Sequence, residues 1–296
     1  MIICGVRGPN GVDLAQIKQM GGRAGRSKRD ANPVVHIVSE EECVPSLAML
    51  NSVPPVKSEF DDEHSVSFHL LSKINELKSK ENVEKWFIRS LAYAQGKRVD
   101  FDSVFKRLVG LQVFEEYEGQ FRLTRLGEVC KQYYFSPEAV FSWKEKFGKL
   151  FENGDSTEDY AIAWALATGR VSFDVGFGVA DELLSQFPGD FSPSSECASE
   201  AVLWLAIFNG VSVPGCTTLK KSLKSDWGRI SSALRAIDRC CGWNNERYWG
   251  VMDTMVKHGV PYGAVKYFSI PNMTSGWARQ CFDCGISVDD VPVEVD

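Results

Sequence analysis

Residues 115–127 read EEYEGQFRLTRLG, and this stretch decides how the middle of the chain is interpreted. Apolar and polar residues alternate on both sides of Glu118-Gly119, which is typical of two short antiparallel strands joined by a tight turn. Three segments with helical periodicity precede it. The first carries Val66, Leu70, Leu71, Ile74 and Leu77, the second reads NVEKWFIRSLAYAQ and the third FDSVFKRLVGLQVF. Three helices followed by a hairpin predict a winged helix over residues 65–136.

The rest of the chain divides around this segment into regions of different pattern. Residues 1–50 contain two β-branched runs, MIICGVR and PVVHIVS, separated by a helix-like stretch, which predicts a short α/β remnant. Residues 51–64 are Pro-rich and acidic and are interpreted as a linker. Residues 137–262 are mostly helical segments broken by Gly and Pro, and predict a helical bundle. Residues 263–296 predict two short helices around a tight turn and an acidic tail. The expected fold class is mainly α.

Composition excludes several classes of protein. The chain has 296 residues, 44% of them apolar, and a net charge of −6, so nucleic-acid binding would need local basic patches. Nine scattered cysteines, an odd number, favour reduced thiols in an intracellular protein over a disulfide framework. No apolar run approaches the roughly 20 residues that span a bilayer. We expect a soluble intracellular protein, cytoplasmic or nuclear, with no membrane partner.

Residues 19–26 read QMGGRAGR and carry the most specific motif. Arg23 and Arg26 are three residues apart, so both can face one polyanion, and the neighbouring glycines let the backbone come close. Arginine at the edge of a nucleotide pocket stabilises charge on a transferred phosphoryl group. The alternative is a solvated basic loop, because Lys18, Lys28 and Arg29 are neighbours.

This octapeptide resembles motif VI of the superfamily-two DExH helicases, in the branch that includes the archaeal repair helicase and the helicase half of DNA polymerase theta. The family sequence Gln-Met-x-Gly-Arg-Ala-Gly-Arg is matched from Gln19 to Arg26. The resemblance implies that residues 1–50 are the C-terminal remnant of the second RecA-like motor lobe. It implies ATP contacts for Gln19, Gly22, Arg23 and Arg26, with Arg23 and Arg26 catalytic and Arg26 the arginine finger.

The resemblance continues along the chain in the same order. FRLTRLGEVCKQYYFSPEAV (121–140) resembles the wing of the family's winged helix and the segment that follows it. SIPNMTSGWARQCFDCGI (269–286) resembles the family's terminal helix–hairpin–helix. The intervening residues 137–262 then correspond to the family's ratchet domain, and residues 263–296 to the helix–hairpin–helix and tail.

Two motor motifs are missing from this sequence. No G-x-x-x-x-G-K-[ST] is present to hold phosphates, and DDEH at 61–64 has the wrong order for the magnesium-binding Asp-Glu-x-His. By the family mechanism the chain cannot hold ATP alone. ATP and Mg are therefore expected only in an intact helicase, completed by a motor polypeptide that carries the P-loop and DExH motifs, and no cofactor is expected for this chain alone.

The segment SDWGRISSALRAIDRCC (225–241) predicts an amphipathic helix. Its apolar stripe is Trp227, Ile230, Leu234, Ile237 and Cys241, and the opposite side carries Arg229, Arg235 and Arg239. Lys220, Lys221 and Lys224 lie just upstream. The resemblance implies a ratchet helix that touches single-stranded DNA, with Arg229 at the family arginine and Ala236 in place of a base-stacking Trp. The alternative is an ordinary solvated helix.

The terminal segment offers a second possible phosphate contact. Thr274 and Ser275 are N-cap candidates, and free N–H groups at a helix N-terminus bind phosphate. Arg279 matches a family arginine by the resemblance, while the alternative is a small packing domain. Cys281 and Cys284 form a C-x-x-C, but no second pair with suitable spacing exists, so no metal site is expected.

These patterns lead to one functional expectation and one alternative. The chain is expected to be the C-terminal portion of an ATP-dependent DNA helicase that binds single-stranded or forked DNA, with RNA also possible. Activity as an enzyme then depends on the missing motor part. The alternative is a non-enzymatic adaptor, derived from helicase accessory domains, that binds nucleic acid or docks proteins.

Overall fold

The computed structural model describes the strands Ile2–Cys4 and His36–Val38, the single residues Ser58 and Phe60, and residues 63–291. Within these residues the protein is mainly helical, as expected. The motif VI residues Gln19, Gly22, Arg23 and Arg26 lie outside the described residues, as do most of the predicted linker and the last five residues.

The chain divides into two compact units, Met1–Glu59 and Phe60–Asp296. In the first unit, β1 (Ile2–Cys4) pairs in parallel with β2 (His36–Val38), and Ile3 lies opposite Ile37. The two predicted strands are therefore confirmed, although both are shorter than the apolar runs that predicted them.

The second unit begins with a helical segment. Its helices are α1 (Glu63–Leu77), α2 (Lys80–Ile88), α3 (Leu91–Ala94) and α4 (Phe101–Gly110). The predicted stripe on α1 is confirmed, since Val66, Leu70, Leu71 and Ile74 are buried. The prediction of one helix over NVEKWFIRSLAYAQ was wrong. Ser90 interrupts it, because its side chain accepts a hydrogen bond from the Tyr93 N–H and starts a new helix.

The predicted hairpin is present and follows α4. Strand β3 (Phe114–Tyr117) pairs antiparallel with β4 (Gln120–Leu123). The turn residues Glu118 and Gly119 have φ angles of 52° and 71°, the left-handed conformation that a two-residue hairpin turn of this kind requires.

Helix α5 (Arg125–Tyr133) begins directly against this hairpin. The Thr124 hydroxyl accepts from the Gly127 N–H at 3.0 Å and donates to the Gln112 carbonyl at 2.6 Å. A Cβ on Gly127 would lie 2.2 Å from the Val113 carbonyl oxygen, so only glycine allows this packing.

The bundle that follows contains six α-helices among the described residues and buries most of its apolar side chains in one core. They are α6 (Pro137–Asn153), α7 (Asp159–Leu166), α8 (Gly178–Leu184), α9 (Ser195–Phe208), α10 (Thr217–Cys241) and α11 (Glu246–His258). A 3-10 turn, Gly189–Phe191, precedes α9. Helix α9 is buried at every position from Ala198 to Phe208, so it is the central helix of the bundle.

The C-terminal segment has a small core of its own, formed by Val260, Ala264, Tyr267, Ala278, Cys281 and Val291. The first of the two predicted helices is a 3-10 segment, Tyr262–Ser269, and the second is α12 (Ser275–Asp283). A further 3-10 turn covers Val288–Asp290. No helix in the described part of the chain is both long and apolar enough to cross a membrane.

Candidate nucleic-acid interface

Helix α10, the predicted nucleic-acid-binding helix, is 25 residues long. Trp227, Ile230, Leu234 and Ile237 are buried, which confirms most of the predicted stripe, whereas Cys241 is only half-buried. The buried surface extends further than the stripe and includes Ala236, which is 8% exposed. A stacking residue at that position would point into the protein.

Arg229 is held by groups of the protein itself. Its Nε and Nη2 donate to the two carboxylate oxygens of Asp226 at 2.8 and 2.9 Å. Its Nη1 donates to the carbonyl oxygens of Tyr133 and Tyr134, both at 3.0 Å, where α5 ends. The guanidinium also lies 4.2 Å from the ring centre of Phe135. Four of its five N–H groups are used, so this arginine ties α10 to the end of α5.

Arg235 does not project into solvent as the helical pattern predicted. Its side chain is 21% exposed and contacts α11, where Nη2 donates to the Asp253 carboxylate at 2.7 Å. Its Nε lies 3.2 Å from a carboxylate oxygen of Glu246. The Asp253 carboxylate also accepts hydrogen bonds from the indole N–H of Trp227 and from the Ser231 hydroxyl. Arg235 therefore completes a polar network between the two helices.

Two of the three upstream lysines satisfy the ends of other helices. The Lys220 ammonium donates to the carbonyl oxygens of Ala206 and Val211 at 3.2 and 2.5 Å. The Lys224 ammonium donates to the Lys257 carbonyl at 3.3 Å. Cations are favourable at such helix C-termini. Lys221 is exposed and has no ion pair among the described residues.

Arg279 lies against the C-terminal end of α9. Its Nη2 is 3.5 Å from the Phe208 carbonyl oxygen, and its guanidinium occupies the space beside Gly210. A Cβ on Gly210 would lie 1.9 Å from the guanidinium nitrogens, so the glycine provides this space. Thr274 is the N-cap of α12 and accepts from the Trp277 N–H at 3.2 Å, which confirms one predicted cap. Ser275 is the first residue of the helix instead.

The fold brings Lys220, Lys224 and Arg279 together and leaves Arg229 and Arg235 in separate networks. Burial lowers the pKa of Lys220, and the nearby charges of Lys224 and Arg279 lower it further. Burial also lowers the pKa of His258, with Lys257 and Lys224 acting in the same direction. This end of the bundle is therefore positively charged. Carbonyl oxygens of α9 and α11 accept hydrogen bonds from Lys220, Lys224 and Arg279.

Comparison with known proteins adds no assignment to this site. No protein-family model matches the chain, and no curated protein matches it. The interpretation of these side chains therefore comes from their contacts. In the part of the chain that the structure describes, no three His, Cys, Asp or Glu residues gather as a metal site, and Cys281 is buried while Cys284 is exposed.

Three exposed cations were not among the predicted nucleic-acid-binding residues. Arg125, Lys149 and Arg239 are exposed and make no ion pair with any described residue. Arg239 lies on the side of α10 that was predicted to be polar, but Arg125 and Lys149 gave no signal in the sequence. Only the packing of α5, α6 and α10 shows that they share a region of the surface.

Proposed function

We propose that this chain is the C-terminal part of a DExH superfamily-two helicase that holds single-stranded nucleic acid. In this proposal, α1–α5 with the hairpin form the winged helix (65–136), α6–α11 the ratchet-like bundle (137–262) and residues 263–296 the helix–hairpin–helix and tail. Residues 1–50 belong to the second motor lobe and supply Arg23 and Arg26 to ATP bound by a separate motor polypeptide.

The observation that carries the proposal is the match between motif order and element order. Residues 121–140 resemble the family's wing and the segment after it. Within them, Thr124 caps α5, and Gly127 lies where α5 packs on the hairpin. The stretch that resembles the ratchet helix lies in a single helix of 25 residues. The stretch that resembles the terminal hairpin contains α12 with its Thr274 cap.

Binding of the strand would rely on phosphate contacts more than on bases. Ala236 is buried and offers no ring for stacking, so contacts from α10 are electrostatic. Lys221 is the predicted cation best suited to a phosphate, because it is exposed and has no ion pair among the described residues. Arg229 would have to exchange one of its present acceptors for a phosphate oxygen.

A non-enzymatic adaptor is the second candidate, and a specific observation favours it. Lys220, Lys224, Arg229, Arg235 and Arg279 all donate to carboxylates or carbonyls of the protein. An adaptor that kept the accessory domains as a scaffold would use these five side chains for internal contacts.

Binding of a fluorescent thymidine oligonucleotide to the purified chain, followed by anisotropy at several salt concentrations, tests the proposal. Lys221→Ala should weaken binding and reduce the salt slope by about 0.7, the value for one lost phosphate contact. Lys97→Ala is the matched control, because Lys97 is also exposed and has no ion pair among the described residues. No binding at low salt would refute the proposed grip on nucleic acid.

The proposed role of Arg26 in ATP hydrolysis by a separate motor polypeptide needs a second measurement. Mixing the chain with a polypeptide that carries a P-loop and a DExH motif should produce ATP hydrolysis that depends on Arg26. Hydrolysis that is unchanged by Arg26→Ala would favour the adaptor, since the arginine finger would then have no role.

A further inference from the structure

A second basic surface lines a cleft beside α6. A cleft of about 690 Å³ opens between α6, α7 and the C-terminal end of α10. Lys144, Lys146 and Lys149 line it together with two tryptophans, Trp164 and Trp243. Cys240 and Cys241 also line it. The cleft thus combines cations and indole rings in a protein of net charge −6.

The first indole, Trp164, is surrounded by lysines. The ammonium groups of Lys146 and Lys149 lie 5.0 and 5.6 Å from its ring centre. Lys146 also donates to the carbonyl oxygens of Trp164 and Ala167, at 3.1 and 2.7 Å, so it is fixed at the end of α7. Burial lowers the pKa of Lys146. Lys149, by contrast, is an exposed residue, and its ammonium lies over the rings of Trp164 and Phe191 without an ion pair among the described residues.

The second indole, Trp243, lies along α6 beside Gly148. A Cβ on Gly148 would be 3.5 Å from Cζ2 of Trp243. The indole packs against Phe151 with ring centres 5.2 Å apart and ring planes at 68°. Trp243 is half-buried, so part of the ring remains accessible at the cleft.

Two arginines that do not themselves line the cleft add positive charge near Cys240. Arg125 and Arg239 both lie close enough to Cys240 to oppose the rise that burial causes in its thiol pKa. The lining lysines face two carboxylates, Glu145 and Glu152, and Glu145 already pairs with Lys144 at 2.6 Å. Asp238 also acts on the neighbouring thiol of Cys241, so five cations meet three anions here. Arg125, Lys149 and Arg239 have no ion pair within the described part of the chain.

We propose that this cleft, formed by α6, α7 and the end of α10, binds single-stranded nucleic acid. Arg125, Lys149 and Arg239 contact its phosphates, and Trp243 offers a face for one base. Single strands suit the cleft better than duplexes, since their bases are free to stack on an aromatic ring while the backbone follows the cations. The choice of single-stranded nucleic acid as the ligand rests on the proposed function. The main contacts with the strand then lie at the cleft and not at the predicted cations Lys220, Lys221, Lys224, Arg229 and Arg235.

The test compares two sets of variants on the whole chain. The cleft set replaces Arg125, Lys149 and Arg239 together by alanine, and the control set is Lys97→Ala. The ligands are a thymidine oligonucleotide and an abasic oligonucleotide of the same length. The cleft set should weaken binding of the thymidine oligonucleotide roughly tenfold or more and reduce the salt slope by about 2, while the control leaves both unchanged.

Cysteine alkylation gives a local readout of the same event. Cys240 and Cys241 are half-buried thiols in the cleft, and Cys284 is an exposed thiol elsewhere on the chain. Iodoacetamide labelling, mapped by mass spectrometry, should slow at Cys240 and Cys241 when the thymidine oligonucleotide is bound and stay constant at Cys284. Alkaline pH is suitable because burial raises the pKa values of both cleft thiols.

The results distinguish a failure of the cleft assignment from a failure of the proposed function. Normal affinity in the cleft set, with unprotected cysteines, would overturn the cleft and leave nucleic-acid binding intact. No binding of any oligonucleotide at low salt would overturn both. Equal affinity for the thymidine and abasic oligonucleotides would show that the cleft takes any polyanion, and would overturn the assignment of a base contact to Trp243.

Discussion

Arg229 and Asp226 form a two-point ion pair on the exposed side of α10, with N–O distances of 2.8 and 2.9 Å. The other terminal nitrogen of Arg229, Nη1, donates to the carbonyl oxygens of Tyr133 and Tyr134, where α5 ends. The residue that most resembles a helicase DNA contact is therefore also a helix cap. Removing it affects folding as well as binding, so Arg229→Ala alone cannot measure a phosphate contact.

Arg229→Ala should lower the free energy of unfolding by about 1–2 kcal/mol, because two carbonyls and one carboxylate lose their donor. Arg229→Lys should recover less than half of this loss, since an ammonium cannot donate in the planar two-point geometry. Lys221→Ala should stay within about 0.5 kcal/mol of the original chain. Urea unfolding followed by tryptophan fluorescence measures all three, since all eight tryptophans lie beyond residue 60. Full recovery by lysine would contradict this role.

Gly127 and Gly228 should respond to alanine with opposite signs. A Cβ at Gly127 meets the Val113 carbonyl oxygen at 2.2 Å, and that carbonyl is itself held by the Thr124 N–H. We expect Gly127→Ala to cost about 2–3 kcal/mol. Gly228 lies inside α10 with open space around it, so Gly228→Ala should stabilise by about 0.5–1 kcal/mol. Thermal unfolding of the two variants checks the signs, and equal shifts would contradict the packing of α5 on the hairpin.

Local features were predictable from the sequence, and long-range ones were not. The hairpin turn at Glu118-Gly119 was predicted because apolar and polar residues alternate on both sides of it, and Gly119 readily adopts the left-handed backbone. The contact of Arg229 with Tyr133 joins residues 96 positions apart. A pattern of exposed arginines is the same whether their partner is a phosphate or the end of another helix. The basic cleft was missed for the same reason, since its cations come from three different helices.

Glu200 is a further long-range feature, and it should be among the least replaceable side chains. It is completely buried in α9 and accepts from the backbone N–H groups of Thr168 and Arg170, both at 2.9 Å, and from the Arg170 side chain. Glu200→Gln removes the buried anion beside Arg170, whose other carboxylate, Asp226, lies 3.6 Å away, and should cost about 3 kcal/mol. Glu196→Gln, exposed one turn earlier on the same helix, is the control and should be nearly neutral. Urea unfolding compares them, and equal stability would contradict a role for the charge.

Asp159 should make stability depend on pH in the opposite sense to a paired carboxylate. Burial raises its pKa to about 6, although its carboxylate accepts from the Tyr262 N–H at 2.8 Å. Because the folded pKa lies above the unfolded value of about 3.9, its contribution is full below the unfolded pKa and is lost as pH rises through 6.

Asp159→Asn keeps an oxygen for the Tyr262 N–H and removes the proton equilibrium. The stability of the variant relative to the original chain should therefore rise with pH, by on the order of 2–3 kcal/mol between about pH 4 and pH 7.5. Urea unfolding at several pH values measures this difference, with Asp190→Asn, at an exposed acid, as the control. A difference that stays constant across this range would mean that Asp159 titrates as an ordinary exposed carboxylate, and would contradict its burial between α7 and the Tyr262–Ser269 segment.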